Sequence, residues 1–208
     1  VIGDWNGDGK AKMGVFRDGD WFLDANGNGQ WEPCGIDPCY FNSFGLPADL
    51  PVAGDWNGDG KTKIGVFHNG SWFLDNGNGQ WDGCDVDRCH VEGFGMTGDL
   101  PVVGDWSGDG KVKVGAFRNG SWFLDSNGNG QWDGCGVDQC YVDGFGIAGD
   151  LPVVGDWNGD GKAKVGVYRN GSWYFDANGN GQWDGCGVDQ CSVESFGITG
   201  DLPVAGKW

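Results

Sequence analysis

The chain has 208 residues, 44 of them Gly and 13 Trp, and its 30 acidic side chains outnumber 13 basic ones for a net charge of −17. Such a charge repels a phosphate backbone and an anionic lipid surface, which argues against nucleic acid or an acidic membrane as partner; no run of eighteen apolar residues offers a spanning segment. Aromatic residues make up 14% and recur at fixed spacing, which separates the chain from Gly-rich disordered sequences and supplies a core.

The chain opens on Val1 rather than Met, which reads as a processed form or an excised piece. Gly-Asp-Trp then begins at Gly3, Gly54, Gly104 and Gly155, and Gly-Lys-Trp at Gly206, with spacings of 51, 50, 51 and 51 residues. A period of this length is the signature of solenoids and propellers. The repeat boundaries fall near 1–49, 50–99, 100–150 and 151–200, with 201–208 as a strand that closes a ring or pairs with the first.

Within one unit the pattern predicts four short strands, in the third copy Leu100–Trp106, Lys113–Arg118, Ser121–Leu124 and Tyr141–Phe145. Asn119-Gly120, replaced by Asp18-Gly19 in the first copy, is the two-residue link of a tight hairpin, because both residues tolerate positive φ. No segment keeps a helical period over ten residues. The expectation is an all-β chain of four four-stranded antiparallel blades forming a four-bladed β-propeller, with an open repeat stack as the alternative.

Two kinds of Asx-rich loop recur. The first carries Asp4, Asn6 and Asp8, then Asp55, Asn57 and Asp59, then Asp105, Ser107 and Asp109, then Asp156, Asn158 and Asp160. Oxygens at alternate positions suit calcium, but position nine is Lys12, Lys63, Lys113 or Lys164, and a cation is no ligand. These loops are therefore either calcium sites or turns whose carboxylates a lysine neutralises.

The second kind places Asp24, Asn26, Asn28, Gln30 and Glu32 at positions one, three, five, seven and nine. Copies three and four repeat it with Asp125, Asn127, Asn129, Gln131 and Asp133, and with Asp176, Asn178, Asn180, Gln182 and Asp184. Alternate side-chain oxygens, with a backbone carbonyl at position seven, converge on one point as calcium requires; metal-free Asx turns are the alternative. The second copy is one residue shorter: aligning Asn76, Asn78, Gln80 and Asp82 sets Leu74 at the first ligand's place and Asp75 one position off, so a weaker or rearranged site is expected there. So few carboxylates per site imply affinity of about 10⁻⁴–10⁻³ M, useful where calcium is abundant.

Eight Cys fall as Cys34/Cys39, Cys84/Cys89, Cys135/Cys140 and Cys186/Cys191, one pair per unit. This reads as local disulfides in an oxidising, secreted setting; zinc is disfavoured because the spacing is not C-x₂-C.

The units resemble the FG-GAP and VCBS repeats of integrin-α-like propellers. Phe44-Gly45, Phe94-Gly95, Phe145-Gly146 and Phe196-Gly197 look like the Phe-Gly element, and the segments ending at Pro51, Pro101, Pro152 and Pro203 look like its Gly-Ala-Pro element. The resemblance places calcium ligands at Asp4, Asn6, Asp8 and their copies, with Lys12 and its copies standing where the family has its last Asp. The second loop and the Cys pair depart from the pattern. It implies an extracellular propeller used in adhesion or surface structure.

Function is expected to be structural: a calcium-stabilised extracellular module of a cell surface, matrix or fibre, associating with itself through its terminal strands or with other surface proteins. The alternative is a calcium-dependent lectin, since each copy carries three Trp, with Trp31 and its copies the most exposed. An enzyme is not expected: the only His, His68 and His90, sit at non-equivalent places and no nucleophile motif appears.

Overall fold

A computed structural model describes residues 1–193 and 196–206. Among them there is no helix, and sixteen strands form four four-stranded antiparallel sheets, each a simple meander. These are the four blades of β-propeller type that the repeat predicts. Blade 1 comprises β1 (Ile2–Gly3), β2 (Lys12–Arg17), β3 (Asp20–Leu23) and β4 (Cys39–Tyr40). Blade 2 comprises β5 (Leu50–Gly54), β6 (Lys63–His68), β7 (Ser71–Leu74) and β8 (Arg88–His90). Blade 3 has β9 (Leu100–Gly104), β10 (Lys113–Arg118), β11 (Ser121–Leu124) and β12 (Gln139–Tyr141). Blade 4 has β13 (Leu151–Gly155), β14 (Lys164–Arg169), β15 (Ser172–Phe175) and β16 (Gln190–Ser192). Residues 201–206 belong to no strand, and Lys207 and Trp208 lie outside the described residues.

The hairpin between the second and third strands follows from two residues with positive φ. Asn119 at 50° and Gly120 at 93° turn the chain so that Arg118 pairs with Ser121, and Asp18 at 52° does the same in blade 1. The fourth strand begins two residues earlier and ends four residues earlier than the sequence suggests, at Gln139–Tyr141 rather than Tyr141–Phe145. Asp143 at φ 50° and Gly146 at φ 110° break the extended run. Phe145 is instead buried in the bend, where its carbonyl accepts a hydrogen bond of 2.6 Å from the Trp122 indole. Trp21 and Trp72 bond the carbonyls of Phe44 and Phe94 in the same way.

By contacts the chain divides into two compact units, one built on blades 1 and 2 and one on blades 3 and 4. In the first, Trp21, Leu23 and Phe44 of blade 1 pack against Ile64 and Val66 of blade 2. In the second, Trp122, Leu124 and Phe145 of blade 3 pack against Val165 and Val167 of blade 4. The core of each unit thus sits between blades, which is why a single blade cannot bury its own apolar face.

In blades 2, 3 and 4 a buried aspartate just before the first strand is tied to the last residue of the second. Asp99 takes a two-pronged contact from Arg118 at 2.6 and 2.7 Å, and Asp150 takes one from Arg169 at 2.5 and 2.7 Å. In blade 2 the partner of Asp49 is His68, which makes one contact of 2.5 Å. A guanidinium matches a carboxylate with two parallel bonds and keeps its charge at every accessible pH. His68→Arg is therefore expected to stabilise the chain by about 0.5–1 kcal/mol, seen as a raised midpoint in a thermal melt; an unchanged or lowered midpoint would refute the assignment.

Candidate metal centres

The first loop joins the first and second strands of each blade. Asp4 accepts hydrogen bonds from Gly7 N (2.8 Å) on one oxygen and Gly9 N (2.6 Å) on the other, Asn6 Oδ1 accepts from Asp8 N (3.1 Å), and Asp8 Oδ1 accepts from Lys10 N (3.0 Å). Backbone donors thereby aim three side-chain oxygens inward. The Lys12 ammonium sits among them, 3.3 Å from Asp4 Oδ1, 2.8 Å from Asn6 Oδ1, 2.5 Å from Asp8 Oδ1 and 3.0 Å from the Lys10 carbonyl. Positions one, three, five and seven of a calcium turn all face it.

Lys63, Lys113 and Lys164 occupy the same place, each within 2.6 Å of the position-five carboxylate. The bond from Lys63, followed by the Lys61 backbone donor, holds the Asp59 carboxyl down at about 2, and Asp160 is held at about 2 by Lys164. All four lysines are buried. In these loops an ammonium sits among the oxygens that the sequence offers as ligands.

The second loop joins the third and fourth strands and repeats the same internal bonds. Asp125 accepts from Gly128 N and Gly130 N, both at 2.8 Å. Asn127 Oδ1 accepts from Asn129 N (2.9 Å), and Asn129 Oδ1 from Gln131 N (2.7 Å). The copies beginning at Asp24 and Asp176 match bond for bond. Here position nine is Glu32, Asp82, Asp133 or Asp184, so the loop carries no ammonium of its own. The side-chain amides of Asn127 and Asn129 converge instead on Asp133 Oδ2 at 2.9 and 2.7 Å, and those of Asn26 and Asn28 converge on Glu32 Oε2.

The first-position carboxylates Asp75, Asp125 and Asp176 are deeply buried, whereas Asp24 of blade 1 is only partly so. Burial pushes Asp125 and Asp176 above the usual carboxylate range, outweighing the glycine N–H donors, and it pushes Asp75 up to about 6. Among the described residues no three His, Cys, Asp or Glu side chains gather as a metal cluster. The donor set of these loops is instead two acids, two amides and a carbonyl, which suits a hard cation that takes oxygen ligands.

In the shortened second copy, Asp75 is not displaced. Its N–H bonds the Ile64 carbonyl at 3.1 Å, as Asp125 bonds Val114 and Asp24 bonds Met13. The missing residue falls after it, so Asn76 takes the position-two place, and its N–H donates to Asp87 as that of Ser126 does to Asp138. Asn78, Gln80 and Asp82 keep positions five, seven and nine. What this loop loses is the amide at position three.

One residue per loop escaped the sequence reading. Asp37, Asp87, Asp138 and Asp189, nearly inaccessible, each accept two backbone N–H bonds, one from position two and one from position nine. They clamp entry and exit of the loop together beside the disulfides Cys34–Cys39, Cys84–Cys89, Cys135–Cys140 and Cys186–Cys191. Only the invariable Asp between the two Cys of every copy marked them.

The second loop also staples neighbouring blades within each unit. Trp81 N donates to Ser43 O at 2.8 Å and its ring meets Phe44 edge-on; Trp183 N donates to Gly144 O at 3.1 Å and its ring meets Phe145. A Cβ at Gly79 or Gly181 would overlap the ring of Tyr40 or Tyr141 in the blade before, so these positions require glycine. Beside the staple lies a cleft in each unit, about 250 Å³ near Trp5, Tyr40, Lys61 and Asp75, and about 240 Å³ near Trp106, Tyr141, Lys162 and Asp176.

No protein-family model matches the chain, and no curated protein matches it in sequence. Among solved structures, a lectin of Agrocybe aegerita described as recognising non-reducing terminal N-acetylglucosamine is similar in fold, with a TM-score of 0.53 at 18% identity. The likeness covers 92% of this chain and 55% of the lectin, so the chain spans about half the lectin's length. At this identity the likeness speaks to fold alone.

If position nine decides which cation a loop uses, Lys63→Asp converts the first loop of blade 2 into the second kind. Calorimetric titration of that variant is expected to show one more bound calcium than the parent, with a lower melting point in chelator. Unchanged stoichiometry would refute the rule.

Proposed function

We propose that the chain is a calcium-stabilised, secreted structural repeat module of a cell surface, matrix or fibre. The observation that carries this reading is the lysine of the first loop. It shows that this Asx-turn geometry gathers four oxygens around one positive charge, and the second loop keeps the geometry while replacing the lysine with an acid. Calcium supplies the missing charge, held in copy three by Asp125, Asn127, Asn129, the Gln131 carbonyl and Asp133. The four disulfides fit an oxidising compartment. The same loops recur in every blade with no singular constellation among them, which suits a load-bearing role shared by all copies rather than catalysis.

Calcium added to chelated protein is expected to bind at three full sites and one weaker site in blade 2, and Asp125→Asn is expected to remove one full site. The pH dependence follows from burial of the first-position acid. Asp75 has a folded pKa near 6 against an ordinary 3.8, so the metal-free fold is unpenalised below the lower value and fully penalised above the higher one. The gain in melting temperature on adding calcium should therefore be larger at pH 7 than at pH 5. Absence of calcium uptake at pH 7 would sink the reading.

A second reading, glycan binding, is favoured by the fold likeness to a lectin and by the paired clefts with their Trp, Tyr and Asp walls. Stacking of a sugar ring on an aromatic face beside carboxylates suits such a cleft. A glycan array probed in calcium is expected to show binding that Tyr141→Ala weakens; an empty array retires this reading.

A further inference from the structure

In every blade the disulfide brackets the aspartate that clamps the second loop. In copy three the bridge runs from Cys135, two residues beyond the position-nine acid Asp133, to Cys140 in β12, where strand pairing sets it opposite Phe123. Between them lies the buried Asp138, its N–H on the Gly134 carbonyl at 2.9 Å. One of its oxygens accepts from Ser126 N at 3.2 Å and the other from Asp133 N at 2.8 Å, at positions two and nine of the loop. Asp133 in turn receives the side-chain amides of Asn127 and Asn129. The bridge therefore ties the carboxylate that shapes the loop to the sheet, through a fourth strand of only three residues.

The two sulfurs of each bridge differ in access. The leading Cys34, Cys84, Cys135 and Cys186 are exposed, whereas Cys39, Cys89, Cys140 and Cys191, held on the fourth strands, are half-buried. A thiolate arriving from solvent therefore meets the leading Cys first, and access is one of the factors that set which sulfur is attacked.

We propose that these bridges gate the cation affinity of the second loops, so that a dithiol reductant acts as a negative regulator of calcium binding; this regulation rests on the calcium reading of the same loops. One thiolate of the reductant attacks Sγ of Cys135, and the electron pair of the S–S bond leaves on Cys140 Sγ, which takes up a proton. The reductant's second thiol then displaces Cys135 from the mixed disulfide, so the reagent ends as a disulfide and the protein gains two thiols. With the bridge open, seating Asp138 on both N–H groups costs chain entropy that the crosslink otherwise removes. The position-nine acid loses its fixed place. Coupling of this kind is reciprocal, so a cation held in the loop makes the same bridge harder to reduce.

The test opens one bridge, with Cys135→Ser and Cys140→Ser in one chain, and leaves the other three intact. Calorimetric titration of the chelated variant with calcium is expected to show the copy-three site weakened about tenfold or more, the usual effect of loosening groups just outside a metal's ligands, and the remaining sites unchanged. In chelator, hydrogen exchange at the Ser126 and Asp133 amides is expected to be faster in the variant than in the parent. Near-ultraviolet circular dichroism matching the parent confirms that the variant folds. If it does not fold, the parent decides the matter: the ratio of reduced to oxidised dithiol that half-reduces its bridges should rise when calcium replaces chelator. A parent that takes up no calcium overturns the calcium reading and this regulation with it. Uptake by the parent together with an unweakened third site in the variant overturns the regulation alone, as does unchanged exchange at both amides or a ratio indifferent to calcium.

Discussion

The blades are organised around oxygen-lined turns whose focus favours a positive charge. Each blade contains two such turns, and in each the backbone donors at positions four to seven orient carboxylate and amide oxygens inward. Oxygens held that close repel one another unless a cation lies between them. In the first turn a lysine provides it, and burial of that lysine is tolerable because its ammonium meets carboxylates and a carbonyl at once. In the second turn the chain supplies no cation. The glycine-rich sequence follows from the same constraint, since positions four and six of the turns adopt positive φ, about 70–86° except at Gly77 of the shortened turn, which is at 115°.

The two turns are mechanically linked. The aliphatic stem of Lys12 lies against Gly27 of the second turn while its ammonium fills the first, and Lys113 and Lys164 lie against Gly128 and Gly179 in the same manner. The second turn then reaches the preceding blade through its Trp, as Trp183 does to Gly144 and Phe145. Charge at the focus of a turn, shape of the turn and seating of one blade on the next form a single chain of dependence. The buried Asp at the loop exit and the adjacent disulfide hold its outer end, where β16 and its counterparts are only two or three residues long.

The repeat, the strand order, the hairpin turns and the disulfide pairing were legible because each rests on local chemistry at a fixed spacing. The Asn-Gly turn needs positive φ at two adjacent residues, and five-residue separation brings two Cys within bonding distance. What was not legible depends on the path of the chain. Spacing alone set Leu74 at the first ligand's place, but strand pairing keeps Asp75 there and moves the deletion into the turn, where a residue is lost at less cost than in a ladder of hydrogen bonds. Asp138 has no mark in the sequence beyond its recurrence between the two Cys, and only the folded loop shows its two oxygens spent on backbone N–H groups. The fourth strand was misplaced because Phe145 reads as a strand residue, whereas its burial comes from a bend that presents its carbonyl to Trp122.

The net charge of −17 acquires a location from this arrangement. Thirteen of the 30 acidic residues sit in the second turns or at their exits, three per blade and a fourth, Asp85, in blade 2, while every first turn carries its own lysine. Self-repulsion is thus concentrated in the elements that staple blades together, where it opposes the compact state most directly. One divalent ion per second turn would cancel about half of the net charge at the points where it is densest. Added monovalent salt screens charges across solvent but acts much less on buried carboxylates such as Asp125 and Asp176. In the first turns the compensation is local, supplied by the lysine at the focus of each; in the second turns the proposed calcium would do the same.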